Sequence, residues 1–558
     1  MIYFTKFKDV FISLYKNKLL AFLILLGFFA YLLISFPSGK YYCFHDKCGL
    51  YFWGAHIHDG VWHLAVIENS FKHYPFFHPV FSGAILTGYN FLLDLIIYLF
   101  SKVGVNSLDL YFRLFPFLWF VFYTYTTLKL ASKISKKFIL KFFILFFNYF
   151  GASCGFLLSL YHNKTIFGSS SRLAMQSLLS PVNLQFSISL IFINLILINY
   201  FNKNSSTKYY LYGVYSFINF GLKFYSGVIN LFLILFLLII EKESFLKKIN
   251  SFLIVFLLSF ASIIFFYNPF NAIKTGFPLI FSPFSQVNYL IEQPTLFYMP
   301  NLANILNILK EGGFGPRLFL IEIFLIILFF ILHYGIRIFG FFYYFYYFYK
   351  RKKIDFYFVI FVTTIFSSFL TIFFVQKGEW WNTIQFTYYG IFLANILVAK
   401  FLSELNFNKF FSKLLIIFLI LFNIPENLDI IKNFNPFLPG NYISRYELEA
   451  LAFLKKQKDG IVFSINDKNI NYIIENSYIP AFGKKIIFIA DSAQLKITGI
   501  DYINRLKSIV RHDCKVFEKI NYIYEKKTDL FLNKYYKNCQ LNLMKIFENK
   551  EVLIYKVI

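Results

Sequence analysis

Charged side chains are scarce in this 558-residue chain: Asp, Glu, Lys and Arg make up 15% of it, and only 29 residues are acidic. Hydrophobic residues make up 58%, and the mean hydropathy is +0.58. A soluble domain of this size needs far more polar surface to cover its core. The composition therefore excludes a soluble globular protein and indicates a polytopic α-helical membrane protein.

The sequence also lacks a GxxxxGK[ST] phosphate-binding loop, which argues against ATP-driven transport. A net charge of +26 is compatible with nucleic-acid binding. However, most Lys and Arg residues of the first 430 positions lie in short clusters between apolar runs. Such clusters are typical of membrane topology signals. We therefore expect membrane lipids, and no nucleic acid, as partners.

Apolar runs predict about 11 transmembrane helices with the N-terminus in the cytoplasm. These runs are 19–36, 109–130, 138–158, 184–201, 209–222, 224–241, 249–267, 317–340, 354–375, 383–404 and 410–424. Run 85–100 is short and contains Asp94, which is costly to expose to lipid. If this run spanned the membrane, every later basic cluster would lie on the outer side, against the positive-inside rule. We expect run 85–100 to be a juxtamembrane helix in a first outer loop of residues 37–108.

Two domains follow from this topology: a transmembrane domain over 1–430 and a soluble α/β domain over 440–558. In the second, period-two apolar runs predict strands at 460–465, 485–490 and 551–558, and residues 445–456 predict a helix. The C-terminal domain is expected outside the plasma (inner) membrane.

Four of the five cysteines fall in predicted outer segments as close pairs. Cys43 with Cys48, and Cys514 with Cys539, are candidate disulfides because that compartment permits oxidation. Cys43, His45 and Cys48 are also compatible with a metal site, but no second ligand cluster completes it.

Residues 54–79 read GAHIHDGVWHLAVIENSFKHYPFFHP and concentrate titratable side chains: His56, His58, Asp59, His63, Glu68, His73 and His78. Asp59 begins an amphipathic helix, where it either caps the helix or acts as a general base on an incoming hydroxyl. His58 or His63 would tune or share that proton. Zinc is a third interpretation, although the histidines lack the i, i+4 pair of a helical zinc motif. We predict no metal site, and a divalent metal remains an open alternative.

This region resembles the start of the GT-C superfamily of membrane glycosyltransferases. The resemblance rests on Asp59, on His78 with Pro79, on LYFRLFPFLWF with Arg113 and Pro116, and on the basic LKLASKISKK. It is similar to the protein mannosyltransferases and the lipid A aminoarabinose transferases. The acid is followed by Gly60 where the family often has Glu, and Val80 replaces the second proline of HPP. Residues 376–390 and 490–502 look similar to uncharacterised bacterial proteins of this type.

The resemblance implies transfer of a sugar from a polyprenyl-phosphate donor to a lipid, glycan or protein acceptor, with Asp59 as the base. The chemistry further needs cations for the leaving phosphate and polar groups for the sugar. Candidate phosphate contacts are Arg172, Lys164, Arg317 and Lys223, and candidate acceptor or sugar contacts are Glu68, His78, Glu379, Trp381 and Asn382. Interfacial anchoring is an equal alternative for Arg172, Arg317 and Lys223. For Glu379, Trp381 and Asn382 the alternative is a helix cap with an aromatic belt at the membrane surface.

Two other functions fit many spans and an outer domain. A transporter or flippase of lipid-linked saccharides would need a polar path and an inverted repeat, and neither is evident. A non-catalytic scaffold would carry an outer binding domain, and Asp59 would then face open solvent rather than a lined cavity.

Overall fold

The computed structural model describes residues 17–170, 172–174, 177, 184–202, 207–272, 279–313, 315–406, 409–465, 477–528 and 530–558. Lys6, Lys8 and Lys16, which support the predicted orientation of the first helix, lie outside these residues.

The helices are α1 (Lys18–Ser35), α2 (Asp59–Asn69), α3 (Leu92–Lys102), α4 (Phe115–Ile134), α5 (Phe138–Phe150), α6 (Gly155–Asn163), α7 (Leu184–Tyr200), α8 (Thr207–Leu222), α9 (Phe224–Ile240), α10 (Phe245–Tyr267), α11 (Ser285–Glu292), α12 (Pro300–Glu311), α13 (Pro316–Tyr334), α14 (Ile338–Arg351), α15 (Phe356–Phe373), α16 (Ile384–Glu404), α17 (Phe410–Phe422), α18 (Ile424–Asn433), α19 (Arg445–Lys456), α20 (Tyr478–Gly483), α21 (Ser492–Ile497), α22 (Ile503–Val510) and α23 (Leu530–Asn538). The strands are β1 (Lys40–Phe44), β2 (Lys47–Phe52), β3 (Leu279–Phe281), β4 (Phe374–Gln376), β5 (Asn441–Ser444), β6 (Ile461–Phe463), β7 (Ile486–Ile487), β8 (Tyr522–Lys526), β9 (Leu543–Glu548) and β10 (Val552–Val557).

The prediction of a polytopic helical membrane protein is confirmed. Among the described residues, six helical segments are long and apolar enough to cross a membrane, or seven if α5 and α6, bent by 42°, form one span. Helices α7 and α9 are apolar but have only 17 residues each. The number of 11 spans therefore stays a prediction, as do the inner-membrane location and the orientation.

Three helix breaks lie side by side within the helical bundle, between α5 and α6, between α13 and α14, and between α17 and α18. Arg337, which is fully buried, donates to the Ala152 carbonyl over 2.8 Å, and Glu426 accepts from the Ser153 backbone N–H over 2.8 Å. In a membrane every backbone polar group must find a partner inside the protein. These side chains satisfy the backbone groups that the breaks expose.

Within run 85–100 the structure has the short helix α3, and its juxtamembrane placement stays a prediction. Its 11 residues cover about 16 Å, roughly half the thickness of the hydrocarbon core. Leu93, Asp94 and Ile97 are buried on its inner face, whereas Leu99 and Phe100 are exposed. The helix is therefore too short to cross a bilayer by itself.

The C-terminal region is an α/β unit, as expected. Its five-stranded sheet has the order β7-β6-β8-β10-β9, with β6 parallel to β7 and β8 and the remaining pairs antiparallel. Helix α19 has the predicted bounds because Ser444 and Glu447 form a capping box at its start.

The C-terminal unit is built together with the first outer loop. Strand β5 pairs with β2 of that loop, giving the antiparallel sheet β1-β2-β5. One hydrophobic core also includes Phe52 and Trp62 of the loop together with Leu451 and Val462 of the C-terminal unit. The domain boundaries at 430 and 440 stay a prediction, but the two outer segments form one packed body.

Both candidate cysteine pairs are disulfides in the structure, Cys43–Cys48 across the β1–β2 hairpin and Cys514–Cys539 in the C-terminal unit. Cys154 is a buried free thiol.

Candidate functional site

A cavity of about 680 Å³ lies where the first outer loop, the junction of α8 and α9, the end of α10 and the C-terminal unit meet. The first outer loop, the chain from the α8–α9 junction to β3, and the chain from the end of β4 into α16 contribute Asp59, Trp62, His63, Gly88, Tyr89, Asn90, Lys223, Phe224, Tyr225, Ile263, Tyr267, Pro269, Leu279, Gln376, Lys377, Gly378, Asn382 and Gln385. The C-terminal unit contributes Gln494, Lys496, Ile497, Thr498, Gly499, Ile500 and Asp501. Segments far apart in sequence thus form one wall.

Asp59 lies on this wall as the first residue of α2. Its side chain is 40% exposed, and its Oδ1 lies 3.1 Å from the Nδ1 of His58. Among the described residues, no backbone N–H bonds to its carboxylate, so the capping interpretation does not describe it. The carboxylate faces a lined cavity, which is the arrangement that a non-catalytic scaffold would not need.

Opposing effects set the ionisation of Asp59. Burial acts to raise the pKa of the carboxyl, but the hydrogen bond from His58 and the charges of His58, His63 and Lys223 outweigh it. The pKa of Asp59 therefore lies below its ordinary value, and the group is ionised at neutral pH. An ionised carboxylate at a cavity wall can accept a proton.

His63, one turn after Asp59, is held from both sides. Its Nδ1 lies 3.0 Å from Oδ2 of Asp94, and its Nε2 lies 3.3 Å from the Tyr89 hydroxyl. The side chains of His63 and Asp94 are 1% and 0% exposed. Burial raises the pKa of Asp94, although His63, Lys223 and Gln185 oppose the shift. The Asp94 contact fixes the ring orientation of His63.

Lys223 is a buried cation at the cavity, in the one-residue break between α8 and α9. No carboxylate of the described residues forms an ion pair with its ammonium group. Burial lowers the pKa of Lys223 to about 8, against the opposing charges of Asp59 and Asp94. The cation is therefore available to an anionic ligand.

The other three predicted phosphate contacts lie away from the described cavity wall. Arg172 donates through Nε to the Ser159 hydroxyl over 2.7 Å and through its guanidinium to the Thr295 carbonyl. Lys164 donates to the Tyr161 carbonyl over 3.0 Å, and Arg317 is exposed at the start of α13. The structure does not bring these three cations together with Asp59.

Of the five predicted sugar or acceptor contacts, Asn382 lines the cavity. Glu68 instead bonds Ser107 over 2.6 Å and Lys484 over 2.5 Å, at a second cavity.

The other three predicted contacts make packing or hydrogen-bond contacts elsewhere. His78 is buried with its Nε2 3.2 Å from the Thr498 hydroxyl. Trp381 packs on Tyr289, and Glu379 lies outside the described wall.

Sequence reasoning missed several residues of the wall. Lys377 comes from the QKGEWWNTIQFTYYG stretch, and Lys496 and Asp501 come from ADSAQLKITGIDY. Both stretches carry the resemblance described above, and this signal could have selected them. Tyr89 had no such signal.

Among the described residues, no group of three or more His, Cys, Asp or Glu side chains has a geometry that could hold a metal ion.

The architecture is similar to the crystal structure of the Archaeoglobus fulgidus oligosaccharyltransferase in its apo form. The TM-score is 0.50 and the sequence identity 12%, over 92% of this chain and 70% of that chain. No family model matches the sequence, and no curated protein matches it. At this identity the likeness shows the fold, which is of the GT-C type. The fold implied by the motif resemblance is thereby confirmed.

Proposed function

We propose that this protein transfers a sugar from a polyprenyl-phosphate-linked donor to an acceptor on the outer face of the membrane, with Asp59 as the general base. The observation that carries the proposal is one cavity whose wall holds both an ionised carboxylate, Asp59, and a buried cation without an ion pair among the described residues, Lys223. Glycosyl transfer by a lipid-linked donor needs both groups.

The reaction assigns each group a role. The acceptor hydroxyl gives its proton to the Asp59 carboxylate, and its oxygen forms a bond to the anomeric carbon of the sugar. The bond from that carbon to the phosphate oxygen breaks, and the phosphate leaves with the electron pair. Lys223 stabilises the negative charge on the leaving phosphate. Lys377 and Lys496, on the same wall, add positive charge from two further segments.

Amide side chains of the wall suit a sugar. Asn90, Gln385 and Gln494 each have one buried amide atom with no hydrogen-bond partner among the described residues. Sugar hydroxyls both donate and accept, so they can satisfy such atoms. The apolar wall residues Phe224 and Ile263 offer a surface for the first part of a prenyl chain.

The similarity to an oligosaccharyltransferase supports glycosyl transfer as the reaction class. Mass spectrometry of cell-envelope glycans, compared between the wild type and a strain that lacks this protein, would identify the sugar and the acceptor.

The test of the general base is Asp59→Asn, expressed in that strain at the wild-type level. We expect at least about a 100-fold loss of the glycan product, because general-base catalysis contributes on the order of 10² to 10⁴ in rate. The lipid-linked donor should accumulate. The control is Asp46→Asn, an exposed acid in the same outer loop. Wild-type product from the Asp59→Asn protein would rule out the proposed role.

A further inference from the structure

His58 lies between two carboxylates that belong to different parts of the chain. Its Nδ1 is 3.1 Å from Oδ1 of Asp59, and its Nε2 is 3.3 Å from Oδ1 of Asp491, which is 433 positions further along the chain. An ionised carboxylate only accepts hydrogen bonds, and a neutral imidazole has a single N–H. Both contacts are hydrogen bonds only if the ring is an imidazolium.

Asp491 is itself held firmly within the C-terminal unit. Its side chain is 3% exposed, the Ser477 hydroxyl donates to its Oδ2 over 2.6 Å, and the Gln494 backbone N–H donates to its Oδ1 over 3.2 Å. Asp491 has a φ of +52°, which an aspartate tolerates better than most residues. Contacts within the C-terminal unit therefore hold the Asp491 carboxylate independently of His58.

The neighbouring backbone anchors this unit to the first outer loop. The Ala490 N–H donates to the Val80 carbonyl over 2.9 Å, and the Ile487 N–H donates to the Pro79 carbonyl over 3.1 Å. The segment that carries Asp491 thus has a set position relative to His58 and Asp59.

We propose that Asp491 is a positioning residue of the transfer site: it holds the His58 ring, and through that ring it orients and keeps ionised the Asp59 carboxylate. The inference rests on the proposed function, and it adds that the C-terminal unit completes the site. Without Asp491, the Asp59 carboxylate would lose the orientation and the imidazolium contact that His58 provides.

The charged neighbours support this arrangement. The hydrogen bonds that His58 donates to Asp491 and to Asp59 raise the pKa of His58 to about 11. Burial lowers the pKa of His56 to about 4 and that of His78 to about 3, so neither of these nearby rings is charged at neutral pH. His63 and Lys223 face Asp59 from the other side and also favour its ionised form.

The first test needs no substrate. Diethyl pyrocarbonate modifies neutral imidazole, and mass spectrometry of the purified protein in lipid nanodiscs reports each histidine separately. At pH 7 we expect His58 to react at least about tenfold more slowly than the exposed His45 and His73. In Asp491→Asn, His58 should become reactive and His45 and His73 should not change. An unprotected His58 in the wild type, or no change in the variant, would overturn the proposal.

Two variants separate this effect from damage to the fold. Glu518→Gln makes the same charge change at an exposed side chain of the C-terminal unit, and it should leave His58 protected. Ser477→Ala removes one of the two hydrogen-bond donors to Asp491 within the C-terminal unit and keeps its carboxylate, so it should produce a smaller rise in His58 reactivity. If Asp491→Asn does not elute as a single folded species, the test rests on Ser477→Ala. In that variant the reactivity of His58 relative to His45 and His73 should rise, and an unchanged ratio would contradict the proposal.

The second test uses glycan transfer. In Asp491→Asn the acid limb of the pH–rate profile should move upward by about one pH unit, because Asp59 loses a neighbouring cation. A purely structural role would lower the rate at all pH values without moving the limb. If the wild-type protein makes no product, the proposed function fails. If it does and the two profiles coincide, only the role of Asp491 fails.

Discussion

The hairpin of α8 and α9 carries a buried lysine at each end, and the two lysines have different surroundings. Lys208, near the start of α8, is 8% exposed and lies 2.6 Å from Glu241 just after α9. Lys223, at the other end, is 7% exposed and faces the cavity without an ion pair among the described residues. Equal burial therefore does not mean an equal role. The charge at Lys208 is balanced within the protein, and the charge at Lys223 is left for a ligand.

Removing the acid that pairs with Lys208 should have the largest effect on stability. Glu241→Gln leaves the Lys208 ammonium buried without its partner, which costs about 3 kcal/mol in the free energy of unfolding. Thermal denaturation in detergent measures this loss. Glu243→Gln removes a similar 2.8 Å contact to Lys247 in which both side chains are at least 35% exposed, and it should leave the thermal midpoint nearly unchanged, because water screens an exposed ion pair. Equal losses for both variants would contradict this account of Lys208.

Removing the Lys223 ammonium group should lower the transfer activity and not the stability. A hydrogen bond to a charged group contributes about 1.5 to 3 kcal/mol, so Lys223→Met should lower glycan transfer roughly ten- to hundredfold. The thermal midpoint should not fall, because the substitution removes a buried charge that lacks a carboxylate partner. A lower thermal midpoint with unchanged glycan transfer would show that Lys223 stabilises the fold and does not act on the substrate.

The smallest effect is a change in the shape of a pH profile. Burial lowers the pKa of Lys223 to about 8, so its charge is present below that pH and is lost as the pH rises through it. Glycan transfer by the wild-type protein should therefore decline above about pH 8. Lys223→Arg should extend activity to at least pH 9, because a guanidinium stays protonated there. Identical alkaline limbs would show that Lys223 does not set the decline.

The sequence predicted well what is local. The apolar runs marked helices of the bundle, the prediction of a helix over 445–456 matched α19, and the histidine-rich stretch led to Asp59 on the cavity wall. It could not show that Gly335 adopts a φ of +53° at a break inside a predicted span, because that conformation depends on packing against other helices.

Contacts between distant segments were also beyond its reach. Nothing near Asp491 indicates a contact with His58, because tertiary packing alone brings them together. For the same reason Arg172 and Lys223 were equivalent as outer cations, although one bonds to Ser159 and the other faces the cavity.

The pairing of β2 with β5 has a consequence for biosynthesis. The ribosome makes the first outer loop early, yet its sheet and its core need partners that emerge only after the membrane helices have been inserted. The loop must therefore wait, incompletely packed, until translation is nearly finished. A premature stop shortly after α18 would consequently leave a chain that has its membrane helices but lacks β5 and the C-terminal part of the cavity wall.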